Sequence, residues 1–399
     1  MDTKEIIELG TEFLTPNYGR MPLALVKGQG TRVWDADGKV YLDFVSGIAV
    51  NSLGHCHPKV VAAIQEAATQ MLHCSNLYYN QPQIELARFL AQKSSLNKAF
   101  FCNSGAEANE AAIKLARRYA RLFVSSERYE IITAEHSFHG RTMGALAATG
   151  QTKYQQYFDP LVPGFRYVPL NDVSALAAAI GPHTAAVLLE PIQGEGGVNP
   201  MTQEYAQAAR ELCTKEGIAL IFDEVQTGIG RTGKWFGFEH LGVVPDIISL
   251  AKALGGGLPI GCIMASDRFA QAFTPGTHAS TFGGGPFITR VALAALRAIE
   301  EEGLVDKAAV AGAYLTQGLT ELAKRYPTAV GAVRGAGCLL GVPLNISGGK
   351  VAAAALERGL LVNVIGDKVL RLLPPLNVSK AEMDEALQIL DAAISEALT

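Results

Sequence analysis

Residues 218–257 read IALIFDEVQTGIGRTGKWFGFEHLGVVPDIISLAKALGGG. Two apolar runs, IALIF and DIISLA, have the length and composition of strands buried on both faces. Each ends in a charged residue that a core would not choose, Asp223 after the first and Lys252 after the second. In an open parallel sheet the carboxyl ends of the strands form the ligand crevice, so this spacing delivers an acid and an amine to one bound molecule.

The same strand, loop and helix pattern recurs upstream. In AFFCNSGAEANEAAIKLARRYARLF (99–123) a short apolar strand runs into Asn103–Ala106, and a helix opens with Glu107 and Glu110 in its first turns. Two readings stand there. Ser104 with Glu107 three residues on is a capping box, or the Ser104 hydroxyl and the amides of Gly105 and Ala106 cradle a phosphate at the positive helix end. In YEIITAEHSFHGRTMGALAATG (129–150), Phe138 and Arg141 fall on the crevice side of the strand. An aromatic ring there either packs or flanks a flat heterocycle, and the arginine offers a planar fork suited to a carboxylate. FRYVPLND and AAVLLEPIQGEGG add two further units, with Glu195 either a loop acid or a carboxylate facing the crevice. This alternation predicts a doubly wound α/β sheet.

After Lys252, LPIGCIMAS reads as another buried strand, and HASTFGGGPFITRVALAALRAIEEEGL supplies Ser280 and Thr281, a glycine run and a long helix. From about residue 295 the pattern changes to a smaller α+β unit. Within its apolar strand VLRLLPPL, Arg371 either faces water or binds a carboxylate between the domains, because an unpaired charge in a strand core is costly. At the other end, MDTKEIIELGTEFL predicts an amphipathic helix, and LALV and TRVW with turns at KGQG and DADG predict a small antiparallel hairpin or meander. The expected organisation is an N-terminal segment 1–50 joining the small domain, a large domain 51–294 and a small C-terminal domain 295–399.

Of the 399 residues 18% are charged, below the usual quarter, and the net charge is -4 with no basic cluster, which disfavours nucleic acid as a partner. The six cysteines form no CxxC pair, as reduced thiols of a cytoplasmic protein would. No run approaches the ~18 apolar residues of a membrane span, and the N-terminus lacks the features of a signal peptide. His55, Cys56 and His57 in GHCHP, or His136 with His139, are too few ligands for a tetrahedral site, so no metal is expected.

Taken together, SGAEANE, SFHGRT, EPIQGEGG, FDEVQTGIGRTG, SLAKALGGGLPIG and STFGGGP, in this order, resemble the class III aminotransferases, pyridoxal-phosphate enzymes of fold type I. The resemblance runs from about Tyr18 to Leu376. It implies a large, mostly parallel, doubly wound domain with a smaller α+β domain, and a homodimer with a composite active site. By the same resemblance Lys252 would form the Schiff base with the cofactor aldehyde and then move the substrate proton, and Asp223 would pair with the pyridine nitrogen. Val225 and Phe138 would flank the ring, with Glu224 and Gln226 also at the cofactor and Gln226 on its phenolic oxygen. Ser104, Gly105 and Ala106 would hold the phosphate, completed by Thr281 of the second subunit. Arg371 and Arg141 would bind substrate carboxylates, Glu195 would neutralise Arg371 when the donor presents an amine there, and Ser280 and Tyr18 would approach the substrate. One departure is Gly285, where the family usually has asparagine. Within the family, the chain is most similar to the branch acting on N-acetylornithine and 2-oxoglutarate in arginine biosynthesis. Ornithine, succinylornithine, an acylated lysine precursor and 4-aminobutyrate remain rival donors, and a glutamate 1-semialdehyde aminomutase is a rival of another reaction class.

Overall fold

The computed structural model describes residues 1–398. The first helix, Thr3–Phe13, opens on a capping box between Asp2 and Glu5 and buries none of its residues. The meander follows as β1 (Leu25–Gln29), β2 (Arg32–Asp35) and β3 (Val40–Asp43), paired antiparallel in sequence order.

Next come β4 (Lys98–Cys102), β5 (Glu130–Ala134), β6 (Phe165–Val168) and β7 (Thr184–Leu189), then a two-stranded hairpin of β8 (Ile192–Gln193) and β9 (Asn199–Pro200), and then β10 (Ala219–Asp223), β11 (Ile247–Leu250) and β12 (Gly261–Ala265). All but the hairpin form a seven-stranded sheet in the order β4-β12-β11-β10-β7-β5-β6. β10 runs parallel to both β7 and β11, and only β12 pairs antiparallel with its neighbours. Every residue of β7, β10, β11 and β12 is buried, which explains why these strands read as continuous apolar runs rather than alternating ones.

Helix Gly105–Phe123 covers one face of this sheet through Leu115 and through Ala108, Ala111, Ala112 and Ala116, four small side chains that let its backbone approach β11 and β12. The fold is the mostly parallel α/β architecture with an added α+β unit that the sequence pattern predicts. That unit contains β13 (Arg334–Ala336), β14 (Leu339–Pro343), β15 (Leu360–Leu361), β16 (Asn363–Ile365) and β17 (Val369–Leu372). Four of these form a sheet in the order β13-β14-β17-β16, whereas β15 runs parallel to β3 and so extends the N-terminal meander.

One buried guanidinium ties the pieces together. Arg231, in the loop after β10, donates through Nη1 to the carbonyls of Pro374 and Cys338, the latter at 3.1 Å, and through Nη2 to Ser52 Oγ at 2.8 Å. His55 and His57 face different acids, Asp43 at 2.8 Å and Glu302 at 3.2 Å.

Candidate active site

The carboxyl ends of β10 and β11 open on a cavity of about 500 Å³. Asp223 is the last residue of β10 and pairs with Ser249 of β11, which puts Lys252 three residues further along, at the same edge. The Lys252 backbone is left-handed, φ 45°, a strained conformation for a side-chain-bearing residue that functional sites often hold. Burial brings its ammonium down to about 8, with Glu195 opposing that shift and Arg371 adding to it.

At the floor of the cavity Asp223 is held from several directions. Its Oδ2 accepts from Asn109 Nδ2 at 2.7 Å and contacts His139 Nδ1 at 2.8 Å, while Oδ1 accepts from the Val225 amide at 3.0 Å. Ser249 Oγ donates to Asn109 Oδ1 at 2.7 Å, fixing the amide that faces Asp223. Glu190 lies behind this group, accepting from the amides of Phe138 at 3.0 Å and Gly194 at 3.2 Å. Burial pushes its carboxyl up to about 7; the nearby His139 opposes the shift and Asp223 reinforces it. Sequence reasoning missed Asn109, His139, Glu190 and Ser249 as parts of the site. The available signal for Asn109 was a polar residue on the apolar face of its helix, since a buried amide requires partners.

The helix-end reading of Ser104 resolves into a divided arrangement. Ser104 Oγ accepts from the Glu107 amide at 3.2 Å as an N-cap, but the Glu107 carboxylate reaches back to the amide and side chain of Asn103 rather than to Ser104. Ser104, Gly105 and Ala106 line the cavity at the positive helix end. Gly105 has no room for a side chain: a Cβ there would lie 2.8 Å from Val225 Cγ1, so the cradle and the Val225 wall are built against each other. Phe138 lines the cavity together with Val225, Gln226 and Arg141.

Arg371 is 1% exposed, which removes the reading of a water-facing strand arginine. It sits on β17 and donates to Glu195 Oε1 at 2.5 Å, Gln226 Oε1 at 3.1 Å and Asn363 Oδ1 at 2.8 Å. Burial alone would raise the Glu195 carboxyl, but the Arg371 guanidinium, together with Lys252 and Gln226, holds the group below its usual value.

Other sequence candidates lie elsewhere. The Glu224 carboxylate turns away from the cavity to accept from the amides of Gly237 at 2.9 Å and Phe238 at 2.8 Å and from Thr227 Oγ1. Tyr18 is exposed with the Arg20 guanidinium over its ring, and Thr281 is exposed and lies outside the cavity. Ser280 Oγ accepts from Asn103 Nδ2 at 3.3 Å and from the Gly283 amide at 3.1 Å, at the rim behind the helix end.

The chain matches the family described as aminotransferase class-III over residues 13–394. It is 53% identical over 386 residues to the acetylornithine aminotransferase of Caldanaerobacter subterraneus subsp. tengcongensis, covering 96% of this chain and 98% of that protein. It is 49% identical over 396 residues to the acetylornithine aminotransferase of Methanocaldococcus jannaschii, covering 99% of each. Among solved structures, an ornithine aminotransferase from Toxoplasma gondii superposes with a TM-score of 0.95 at 33% identity, over 99% of this chain and 96% of that one, and is described as showing partial occupancy of PLP at its active site. A matched family model over nearly the whole length and relatives at half identity lead to one conclusion: this chain belongs to the class-III aminotransferases.

Proposed function

We propose that the protein transfers the terminal amino group of N-acetylornithine to 2-oxoglutarate, yielding N-acetylglutamate 5-semialdehyde and glutamate, with pyridoxal phosphate as its cofactor. The residues around the cavity fit that group. A capped helix end would offer amides to a phosphate, Val225 and Phe138 would form apolar walls for a flat ring, and Asp223 would supply the counter-charge for a cationic ring nitrogen. When bound, the cofactor supplies a reactive carbonyl for the migrating amine and a ring that withdraws electrons from the substrate carbon.

The chain's own residues account for the remaining steps. Lys252 Nζ, brought down to about 8, takes a proton from the amine-bearing carbon of the substrate and returns one in the reverse half-reaction. The ordered Asn109–Asp223–His139 group keeps the Asp223 carboxylate aimed. The observation that carries the two-substrate reading is the Arg371–Glu195 pair at 2.5 Å. While paired, Arg371 presents no free positive charge to the amine end of the donor; glutamate, arriving with an α-carboxylate, replaces Glu195 on the guanidinium. Arg141, which lines the same cavity, takes the remaining carboxylate.

Relatives named acetylornithine aminotransferase at about half identity support the acetylated donor, while the similar solved structure named for ornithine, at 33% identity, makes ornithine the rival to test. Single-turnover loss of the cofactor's visible absorbance, followed with N-acetylornithine, ornithine, succinylornithine and 4-aminobutyrate, decides the donor. N-acetylornithine is expected to react fastest. In Glu195→Gln the N-acetylornithine half-reaction is expected to slow at least about tenfold more than the glutamate half-reaction, on the scale of one buried charge interaction; equal losses remove the exchange role of Glu195.

The working unit is a homodimer. Leu77, Tyr79 and Phe282 are exposed beside the Ser280–Thr281 loop, which Asn76 Nδ2 anchors through the carbonyls of Ser280 at 3.1 Å and Gly283 at 2.9 Å. An apolar surface next to hydroxyls that miss their own cavity fits a loop serving the neighbouring subunit's phosphate.

A further inference from the structure

Arg141 lines the cavity and, among the described residues, has no carboxylate partner and no hydrogen bond. A long, solvent-reached side chain without such partners would lose rotamer freedom on binding, and that cost would weaken its grip on a substrate. Its guanidinium nonetheless has a defined place, 4.2 Å from the ring centroid of Tyr154 and 5.5 Å from that of Phe138. The two rings meet edge to face at 5.6 Å.

The segment carrying Tyr154 is registered to the loop that carries Arg141 on both sides. Gln151 Nε2 donates to the carbonyls of His136 at 3.2 Å and Ser137 at 3.0 Å, and Gln155 Nε2 donates to those of Leu146 at 3.2 Å and Thr149 at 2.8 Å. On the far side of the loop the Glu110 carboxylate accepts from Thr142 Oγ1 at 2.6 Å and from the amides of Gly144 at 2.9 Å and Ala145 at 3.0 Å. Backbone and ring are thus fixed relative to each other, while the guanidinium is left with its hydrogen-bond donors free. The Lys153 ammonium lies 4.7 Å from the same centroid and adds positive charge without a fork.

We propose that Tyr154 is a positioning residue for carboxylate recognition: its ring face holds the Arg141 guanidinium ready for a substrate carboxylate, so that the donor's carboxylate meets a pre-ordered fork. This rests on the reading of Arg141 as a carboxylate-binding residue. It is the face of the ring that acts, not the hydroxyl, and substrate binding rather than proton movement is what it serves.

The test compares cofactor-loaded wild type, Tyr154→Phe, Tyr154→Leu and Arg141→Met. N-acetylornithine and n-pentylamine, which has no carboxylate, serve as donors, and glutarate serves as a calorimetric binding probe. Tyr154→Leu is expected to raise the KM for N-acetylornithine and weaken glutarate by about fivefold, the scale of a partly exposed cation–π contact. Its kcat and its pentylamine kinetics stay within about twofold of wild type, and Tyr154→Phe matches wild type throughout. A Tyr154→Leu enzyme that binds glutarate normally, or that slows both donors alike, overturns the proposal, as does a Tyr154→Phe enzyme that loses as much as Tyr154→Leu. If Arg141→Met itself keeps normal glutarate binding and KM, the carboxylate reading of Arg141 falls and the proposal with it.

Discussion

Lys252 combines a left-handed backbone with a buried amine, and the two have separate consequences. In the cofactor-free protein its ammonium is a burden on the fold. Below pH 8 the group is protonated in both folded and unfolded chains, and the cost of burying it is fully present. Between about 8 and the usual 10.5 the unfolded chain holds a proton that the folded chain has released, so stability rises with pH across that window. Lys252→Met should therefore stabilise the cofactor-free protein by up to about 3 kcal/mol below pH 8. Thermal midpoints taken as a function of pH should show that advantage shrinking toward pH 10.5; a constant advantage would mean that the amine is not desolvated. At this scale the strand-end positions of Asp223 and Lys252 were legible because a charge closing an apolar run stands out in one dimension. Asn109, His139 and Glu190 were not, since each reaches the site across a gap that only the packed sheet closes.

Elements were legible wherever their signal was local. The apolar runs became β7, β10, β11 and β12, and Ser104 became an N-cap. What the local pattern could not show is how tightly neighbouring elements are built against each other. Gly140 has φ +138°, and a Cβ there would lie 2.7 Å from Ala106 Cβ and 3.0 Å from Ala145 Cβ. Gly140→Ala should cost on the order of 1–3 kcal/mol in stability. By displacing Ala106 it should also weaken cofactor phosphate binding about tenfold, measured by reconstitution of the cofactor-free protein; one order of magnitude corresponds to ~1.4 kcal/mol. Gly181→Ala, whose added Cβ meets nothing within 4 Å, is the matched control and should leave both quantities unchanged. A normal cofactor affinity in Gly140→Ala would show that the cradle does not depend on this contact.

For the whole molecule, the pattern of strands and helices was sufficient to anticipate a mostly parallel sheet with an added α+β unit, but not which distant segments meet. Leu77 and Tyr79, 83% and 95% exposed, are large apolar side chains that a lone subunit leaves in water. The double substitution Leu77→Glu with Tyr79→Glu should shift the protein toward monomer in sedimentation velocity, with cofactor affinity falling in parallel if Thr281 completes the neighbouring site. A dimer that persists unchanged would place the interface elsewhere. The Glu195–Arg371 pair spans 176 residues of sequence, and Arg231 joins its loop to Ser52 on one side and Pro374 on the other. Glu195 therefore leaves the ribosome about 10–35 s before its counter-ion at ordinary synthesis rates of about 5–20 residues per second. For the later part of that interval a nascent chain holds its cradle residues and Lys252 but not the guanidinium on which the exchange proposed for Glu195 depends, so that exchange is the last part of the site to be made.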